Sequence, residues 1–128
     1  MGQRSPCIVY GCVTDEDIVL YDVEYKPKYK ETGLLPEYKD ATGNEPPEQL
    51  YETEVPSICY PVAVGGSGHH DESIPYLAPV AIDEISTVYA ESYKNAISKW
   101  KDFAEWCLKV KGVKLPKAKL YLSETETA

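Results

Sequence analysis

The chain has no long apolar run. No stretch approaches the roughly 20 residues that a helix needs to cross a bilayer, and residues 1–6 lead directly into a short apolar segment without the pattern of a signal peptide. Pro6 stands where an N-myristoylation signal requires Ser or Thr. We therefore expect a cytoplasmic protein with no membrane attachment.

Closely spaced cysteine pairs are also absent. The four cysteines, Cys7, Cys12, Cys59 and Cys107, form no Cys-x-x-Cys motif of the kind that builds zinc sites or redox dithiols. Cys7 and Cys12 are five residues apart, so on one regular strand they would face opposite sides and could not bridge. The sequence predicts buried, reduced thiols and no metal site.

Positive charge is scarce. Thirteen basic side chains face 21 acidic ones, for a net charge of −8. This sign opposes the phosphate neutralisation on which nonspecific nucleic-acid binding depends, so we expect no direct nucleic-acid partner. Acidity either maintains solubility or steers the chain toward a partner with a basic surface; composition leaves both open.

Four segments have strand character. Cys7–Val13 is compact and apolar, and Ile18–Tyr25 alternates polar and apolar residues after a short polar connection. Ser57–Val64 contains Pro61, which places it at a sheet edge or bulge. Lys117–Ser123 alternates again as a closing strand, and we expect residues 124–128 to fray as an acidic tail.

A helix is predicted over Ala81–Lys111, where apolar residues recur every three or four positions. It should begin near Pro79 or Asp83 and end at Gly112. The apolar stripe consists of Ile82, Ile85, Tyr89, Tyr93, Ala96, Trp100, Phe103 and Cys107.

The length of that helix bears on oligomeric state. About 30 residues span roughly 45 Å, whereas a globule of this chain length is only about 36 Å across. The helix should therefore bend or project, and a projecting end would favour a homodimer or a partner contact. Trp106, about 100° from the centre of the stripe, is the candidate contact residue; the alternative is that it covers the flank of the core.

Residues 26–56 are rich in proline, tyrosine and charge, and we predict a long irregular loop there. So long a connection without structure indicates either a functional loop or a hidden element. Tyr29, Tyr38 and Tyr51 are candidates for partner contact, although they could instead hold the loop against the sheet.

One glycine-rich turn is a candidate ligand site, because it is followed by both histidines of the chain and two acids. It matches neither a Walker A loop nor a dinucleotide fingerprint, and adjacent histidines diverge on an extended backbone. The candidate residues are Gly65, Gly66, Ser67, Gly68, His69 and His70, within the segment Gly65–Glu72.

Together these patterns predict one α+β domain over residues 1–128. A small, mainly antiparallel sheet of about four strands should pack against one long C-terminal amphipathic helix, in the order β-β-long loop-β-α-β. The leading functional hypothesis is a non-enzymatic module that binds another protein and regulates or inhibits it through an acidic, tyrosine-rich surface, without a cofactor. The alternative is a nucleotide-, phosphate- or metal-binding or hydrolytic protein that uses Gly65–Glu72.

Overall fold

The structure is a computed structural model, and it describes residues 3–15, 17–50, 58–61, 63–66, 80–82 and 86–127. Within these ranges eight strands, two α-helices and one 3₁₀ turn follow one another. In chain order they are β1 Gln3–Val13, β2 Asp22–Tyr25, β3 Tyr29–Thr32, α1 Leu34–Thr42, β4 Glu48–Leu50, β5 Ile58–Tyr60, β6 Ala63–Gly66, β7 Val80–Ile82, the 3₁₀ turn Thr87–Tyr89, α2 Ala90–Lys111 and β8 Lys119–Thr127.

The main sheet is antiparallel and is built around β1. Its strand order is β4-β5-β1-β8-β7, and β6 also pairs with β1. Strand β8 pairs with one edge of β1 from Gln3 to Gly11, while β6 pairs with the other edge at Cys7–Val9 and β5 pairs with that edge at Cys12 and Val13. With helix α2 at the C-terminal side of the chain, this confirms the predicted α+β class.

The segment Cys7–Val13 of strand β1 is buried on both faces, which explains its compact apolar sequence. Cys7 and Val9 pack with Ile58 and Tyr60 of β5 on one face. Cys12 lies on the other face, in a cluster with residues of helix α2. Successive strand residues point to opposite sides, so a strand covered on both faces has apolar residues at consecutive positions rather than alternate ones.

Helix α2 buries the stripe that the sequence predicts, through Ala96, Trp100, Phe103 and Cys107. It also ends as predicted, because Gly112 adopts a left-handed conformation with φ of 67°. Here glycine avoids the steric penalty that a Cβ atom would bring.

The predicted start of this helix is wrong. Val80–Ile82 is an edge strand paired with β8, so Ile82 does not belong to the helix. The helix begins at Ala90, after a 3₁₀ turn in which the Ser86 hydroxyl accepts a hydrogen bond from the Val88 N–H at 3.4 Å. Ile82 falls on the helical stripe by coincidence, because a short apolar strand cannot be distinguished from a helix by periodicity alone. Pro79, Asp83 and Ile85 lie outside the described residues.

The length argument changes with this boundary. Helix α2 has 22 residues, so it is about 33 Å long and fits within a globule of this size. Projection is therefore not required by geometry, and the homodimer stays a prediction without that support.

The prediction of an irregular loop over residues 26–56 is corrected. The segment contains strand β3, helix α1 and strand β4. Gly33, with φ of 111°, and Gly43, with φ of 74°, flank helix α1. Pro36 lies in its first turn, where the missing N–H is tolerated. A nine-residue helix is too short to show a clear period, which is why composition alone indicated a loop.

The prediction of a frayed acidic tail is also wrong. The backbone of β8 pairs with β1 as far as Thr127, opposite Gln3, so residues 124–127 form a strand instead of fraying. Ala128 lies outside the described residues. Ladder hydrogen bonds join main-chain groups and do not require apolar side chains, so polarity at the end of the sequence was a poor guide.

Gly11 permits the close approach of β5 to β1. A Cβ atom at this position would overlap the backbone carbonyl oxygen of Cys59 and lie 2.8 Å from its carbonyl carbon. Backbone atoms in the middle of a sheet cannot move aside as a flexible side chain can. Glycine is therefore required where the two strands meet.

We predict that Gly11→Ala lowers the free energy of unfolding by about 3 kcal/mol, as expected for overpacking a rigid site. The matched control is Gly43→Ala, where a Cβ atom meets nothing within 4 Å and only the left-handed conformation is penalised, by about 1 kcal/mol. Urea denaturation measures both changes. Equal stability of the two variants would contradict the close approach.

Candidate functional site

One exposed feature is a hairpin that is separate from the main sheet. Among the described residues, strands β2 and β3 pair with each other and with no other strand, around a turn of Lys26, Pro27 and Lys28. Tyr25 and Tyr29 stand opposite each other at the last pair before the turn, and each is 77% exposed. Their rings meet edge to face, with centroids 5.3 Å apart. The hairpin thus presents two aromatic rings to solvent as one unit.

The base of this hairpin is fixed to the core. The backbone carbonyls of Val19 and Leu20 accept hydrogen bonds from the N–H groups of Leu34 and Leu35, at 3.1 and 2.9 Å. These donors belong to the first turn of helix α1, where backbone N–H groups have no partner within the helix. Leu20, Leu34 and Leu35 are buried in one cluster with helix α2, so the base of the hairpin is attached to the core.

Charge is divided along the hairpin. Exposed acidic side chains precede the turn, and exposed lysines surround it. Tyr21, 39% exposed, donates its hydroxyl hydrogen to Glu31 at 3.0 Å and links the stem to β3. The exposed acidic residues before the turn are Asp15, Asp17, Asp22 and Glu24, Glu31 is an exposed acid after it, and the exposed lysines are Lys26, Lys28 and Lys30. A partner of this element would meet an acidic stem and a basic, aromatic tip.

The structure separates the tyrosines and tryptophan that the sequence proposed for partner contact. Tyr29 is exposed at the hairpin tip, whereas Tyr38 is only 4% exposed and its ring packs 5.1 Å from Phe103. Tyr38 is therefore corrected from a contact residue to a core residue. Trp106 is half-buried with its ring 5.4 Å from Tyr38, so it covers the flank of the core. Tyr51 lies outside the described residues.

The glycine-rich candidate is only partly described. Gly65 and Gly66 belong to strand β6 and pair with β1. A Cβ atom on Gly65 would lie 2.5 Å from the ring of Tyr89, so this glycine serves the packing of an aromatic ring against the strand. The remaining residues of the candidate, Ser67, Gly68, His69, His70, Asp71 and Glu72, lie outside the described part of the chain.

Three of the four thiols cluster in the core, which the sequence spacing does not reveal. Cys12 and Cys59 are directly opposite each other across β1 and β5, and Cys107 of helix α2 lies in the same cluster. Cys7 is buried on the other face of the sheet. All four are free, which confirms the prediction of buried, reduced thiols.

Burial also controls the acidity of these thiols. Desolvation raises the pKa of Cys12 and of Cys107 to about 12, with the neighbouring Cys107 thiol adding to the effect on Cys12. The pKa of Cys7 rises to about 11, and that of Cys59 lies well above its ordinary value. A thiol needs its ionised form to act as a nucleophile or metal ligand, and burial disfavours that form at all four cysteines.

In the part of the chain that the structure describes, no group of three or more His, Cys, Asp or Glu side chains is arranged to hold a metal ion. No helix among these residues is long and apolar enough to cross a membrane. Comparison with protein-family models, with curated proteins and with solved structures gave no match to this chain.

We predict that Tyr38→Ala lowers the free energy of unfolding by about 3 to 5 kcal/mol, as expected when a large buried ring is deleted. The matched control is Tyr29→Ala, which removes the same side chain from an exposed position and should change stability by less than about 0.5 kcal/mol. Thermal or urea denaturation distinguishes them. A larger loss for Tyr29→Ala would overturn this assignment of core and surface.

We also predict a stability decline at alkaline pH that depends on the buried thiols. Because the pKa of Cys12 is raised from 9.0 to about 12 on folding, the unfolded chain ionises first. The stabilising contribution is complete below pH 9 and is lost as pH rises from there toward 12. Cys12→Ala should flatten this decline in urea titrations, whereas Ser98→Ala, at an exposed helix position, should leave it unchanged. Parallel pH profiles for wild type and Cys12→Ala would contradict the prediction.

Proposed function

We propose that this chain is a non-enzymatic module that binds another protein and regulates or inhibits it, with the hairpin Asp22–Thr32 as its main contact element. The observation that carries the proposal is the exposure of Tyr25 and Tyr29, 77% each, at the tip of an anchored hairpin. Large rings held in water are a source of binding energy for a partner that can cover them.

Energetics favour this hairpin as an interaction hot spot. Removing apolar ring surface from water is worth about 25 cal/mol per Å², and tyrosine is among the residues enriched in hot spots. Edge-to-face contact between Tyr25 and Tyr29 already restricts both rings. The backbone anchorage of Val19 and Leu20 limits the loop ordering that binding would require. Both contacts reduce the conformational entropy that would be lost on association.

The proposed partner is a cytoplasmic protein with a basic surface, and neither a nucleic acid nor a membrane. The exposed acids of the stem, such as Asp22 and Glu24, suit basic side chains of the partner, and the net charge of −8 steers the encounter. Lys26 and Lys28 at the turn require a compensating acid on the partner, which would give the complex its orientation.

The proposal is tested with the double substitution Tyr25→Ser and Tyr29→Ser. A tagged chain captures its partner, the partner is identified and purified, and its affinity is measured by calorimetry. We expect the double variant to bind about 10- to 100-fold more weakly, as for the loss of two hot-spot residues. The matched control is Val88→Ser, which changes a side chain that is 82% exposed elsewhere on the surface.

Unchanged affinity of the double variant would refute the hairpin as the contact element. Thermal melting with nucleotides and divalent cations tests the competing class. A ligand-dependent stabilisation that His69→Ala with His70→Ala removes would favour a small-ligand protein instead.

A further inference from the structure

Positive charge in this acidic chain is concentrated at its C-terminal side. Residues 90–119, which comprise helix α2 and the connection to β8, contain eight lysines and three acids, whereas the rest of the chain contains five basic and 18 acidic residues. All eight lysine side chains are exposed. They are Lys94, Lys99, Lys101, Lys109, Lys111, Lys114, Lys117 and Lys119. Helix α2 thus presents a basic surface on a protein of opposite net charge.

Helix α2 carries a second stripe at alternating spacings of three and four residues, which we call the lysine stripe. It consists of Lys94, Ile97, Lys101, Ala104, Leu108 and Lys111. On a helical projection its centre lies about 100° from the buried stripe. Ile97 is 41% exposed and Leu108 is 54% exposed. The stripe therefore combines solvent-exposed apolar side chains with lysines at the spacing that packs one helix along another.

Its positive charge is largely unneutralised. Among the described residues, Lys111 is the one member of the stripe with an ion pair, to Glu37 at 2.7 Å. The spacing of Lys101 and Glu105 is that of a helix-surface ion pair, yet within the described part of the chain neither side chain has a salt bridge within 4.0 Å. Lys94 and Lys101 are consequently free to bind an external carboxylate.

We propose that the lysine stripe is a second docking surface, and that its occupant is an acidic amphipathic helix of a partner protein. Apolar residues of that helix would cover Ile97 and Leu108, while its Asp or Glu side chains would pair with Lys94 and Lys101. Such pairing sets the register and orientation of two packed helices.

Other occupants fit the charge pattern less well. A nucleic acid or an anionic bilayer extends beyond one helix face, and the net charge of −8 opposes its approach. A second copy aligned stripe to stripe would bring lysines against lysines. A single helix of about 10 Å diameter lies within the basic surface and offers both the apolar and the acidic groups that the stripe requires.

Fluorescence anisotropy with synthetic helical peptides tests this proposal. The probe is a labelled helical peptide of about three heptads, with Leu and Glu alternating along the face that would contact the lysine stripe. Versions of the peptide are made with each possible starting position of the Leu–Glu alternation. The control peptide has Lys in place of Glu. We expect the full chain to bind an acidic peptide more weakly as salt increases, and not to bind the basic peptide. Lys94→Glu with Lys101→Glu should weaken binding of the acidic peptide at least tenfold and confer binding of the basic peptide.

The matched control is Lys114→Glu with Lys117→Glu, which changes net charge by the same amount at exposed positions after the helix. This variant should retain its affinity for the acidic peptide within about threefold, because the two substituted lysines do not contact the peptide and exposed charges interact weakly. Leu108→Ser provides an independent variant that changes no charge, and it should weaken binding about threefold to tenfold by removing apolar contact. Coincident thermal melts show that each variant is folded.

Three results would overturn the proposal. One is the failure of every acidic peptide to bind at peptide concentrations up to about 1 mM. Another is an equal loss of affinity for the acidic peptide in the two variants that replace a pair of lysines, which would indicate nonspecific electrostatic attraction. The third is tighter binding of single-stranded DNA or of phosphatidylserine vesicles than of any acidic peptide, with sensitivity to Lys94→Glu and Lys101→Glu.

Discussion

Burial of one face of helix α2 against the inner strands is the interaction on which the other elements depend. Trp100, Phe103 and Cys107 pack with Cys12 and Cys59 of β1 and β5 in a single cluster. The same cluster includes Leu34, Leu35 and Tyr38 of helix α1, so α1 is held by α2 as well as by its own backbone bonds. Since burial of each large side chain contributes about 1.5 to 3 kcal/mol, this contact outweighs the few ion pairs at the surface.

Helix α1 connects the buried core to the base of the exposed hairpin. Its first N–H groups bind the carbonyls at the base of the hairpin, while Tyr38 fastens its opposite side to Phe103 and Trp106. Helix α1, which lies in a segment whose composition indicates a loop, therefore links the core to the surface that we propose for binding. Rigid support of exposed aromatic residues is a common arrangement for recognition.

The sequence predicted the parts of the fold that rest on long periodicity, and missed those that rest on pairing. Trp100 and Phe103 were placed in the core because a 22-residue helix shows several turns of its period. Ile82 is wrongly assigned to the helix, because a strand of three residues is too short for its own period to be recognised.

Tyr29 and Tyr38 look alike in the sequence, because composition cannot separate an exposed ring from a buried one. Leu34, Leu35 and Tyr38 share one helical face, and this spacing was the available signal. The proximity of Cys12 and Cys59 depends on strand register, which one sequence does not reveal.

The ladder between β1 and β8 joins opposite ends of the chain, with Gln3 beside Thr127 and Gly11 beside Lys119. Pairing at such sequence separation pays its loop-closure entropy before it gains any contact, which slows folding. During synthesis, β1 is made before β5 and helix α2, so its apolar residues remain uncovered until those elements follow. Its main ladder is completed only when β8 has been made. Uncovered apolar strand residues make a nascent chain prone to aggregation during that interval. Chaperone demand would thus be greatest between the synthesis of β1 and the synthesis of the elements that cover it.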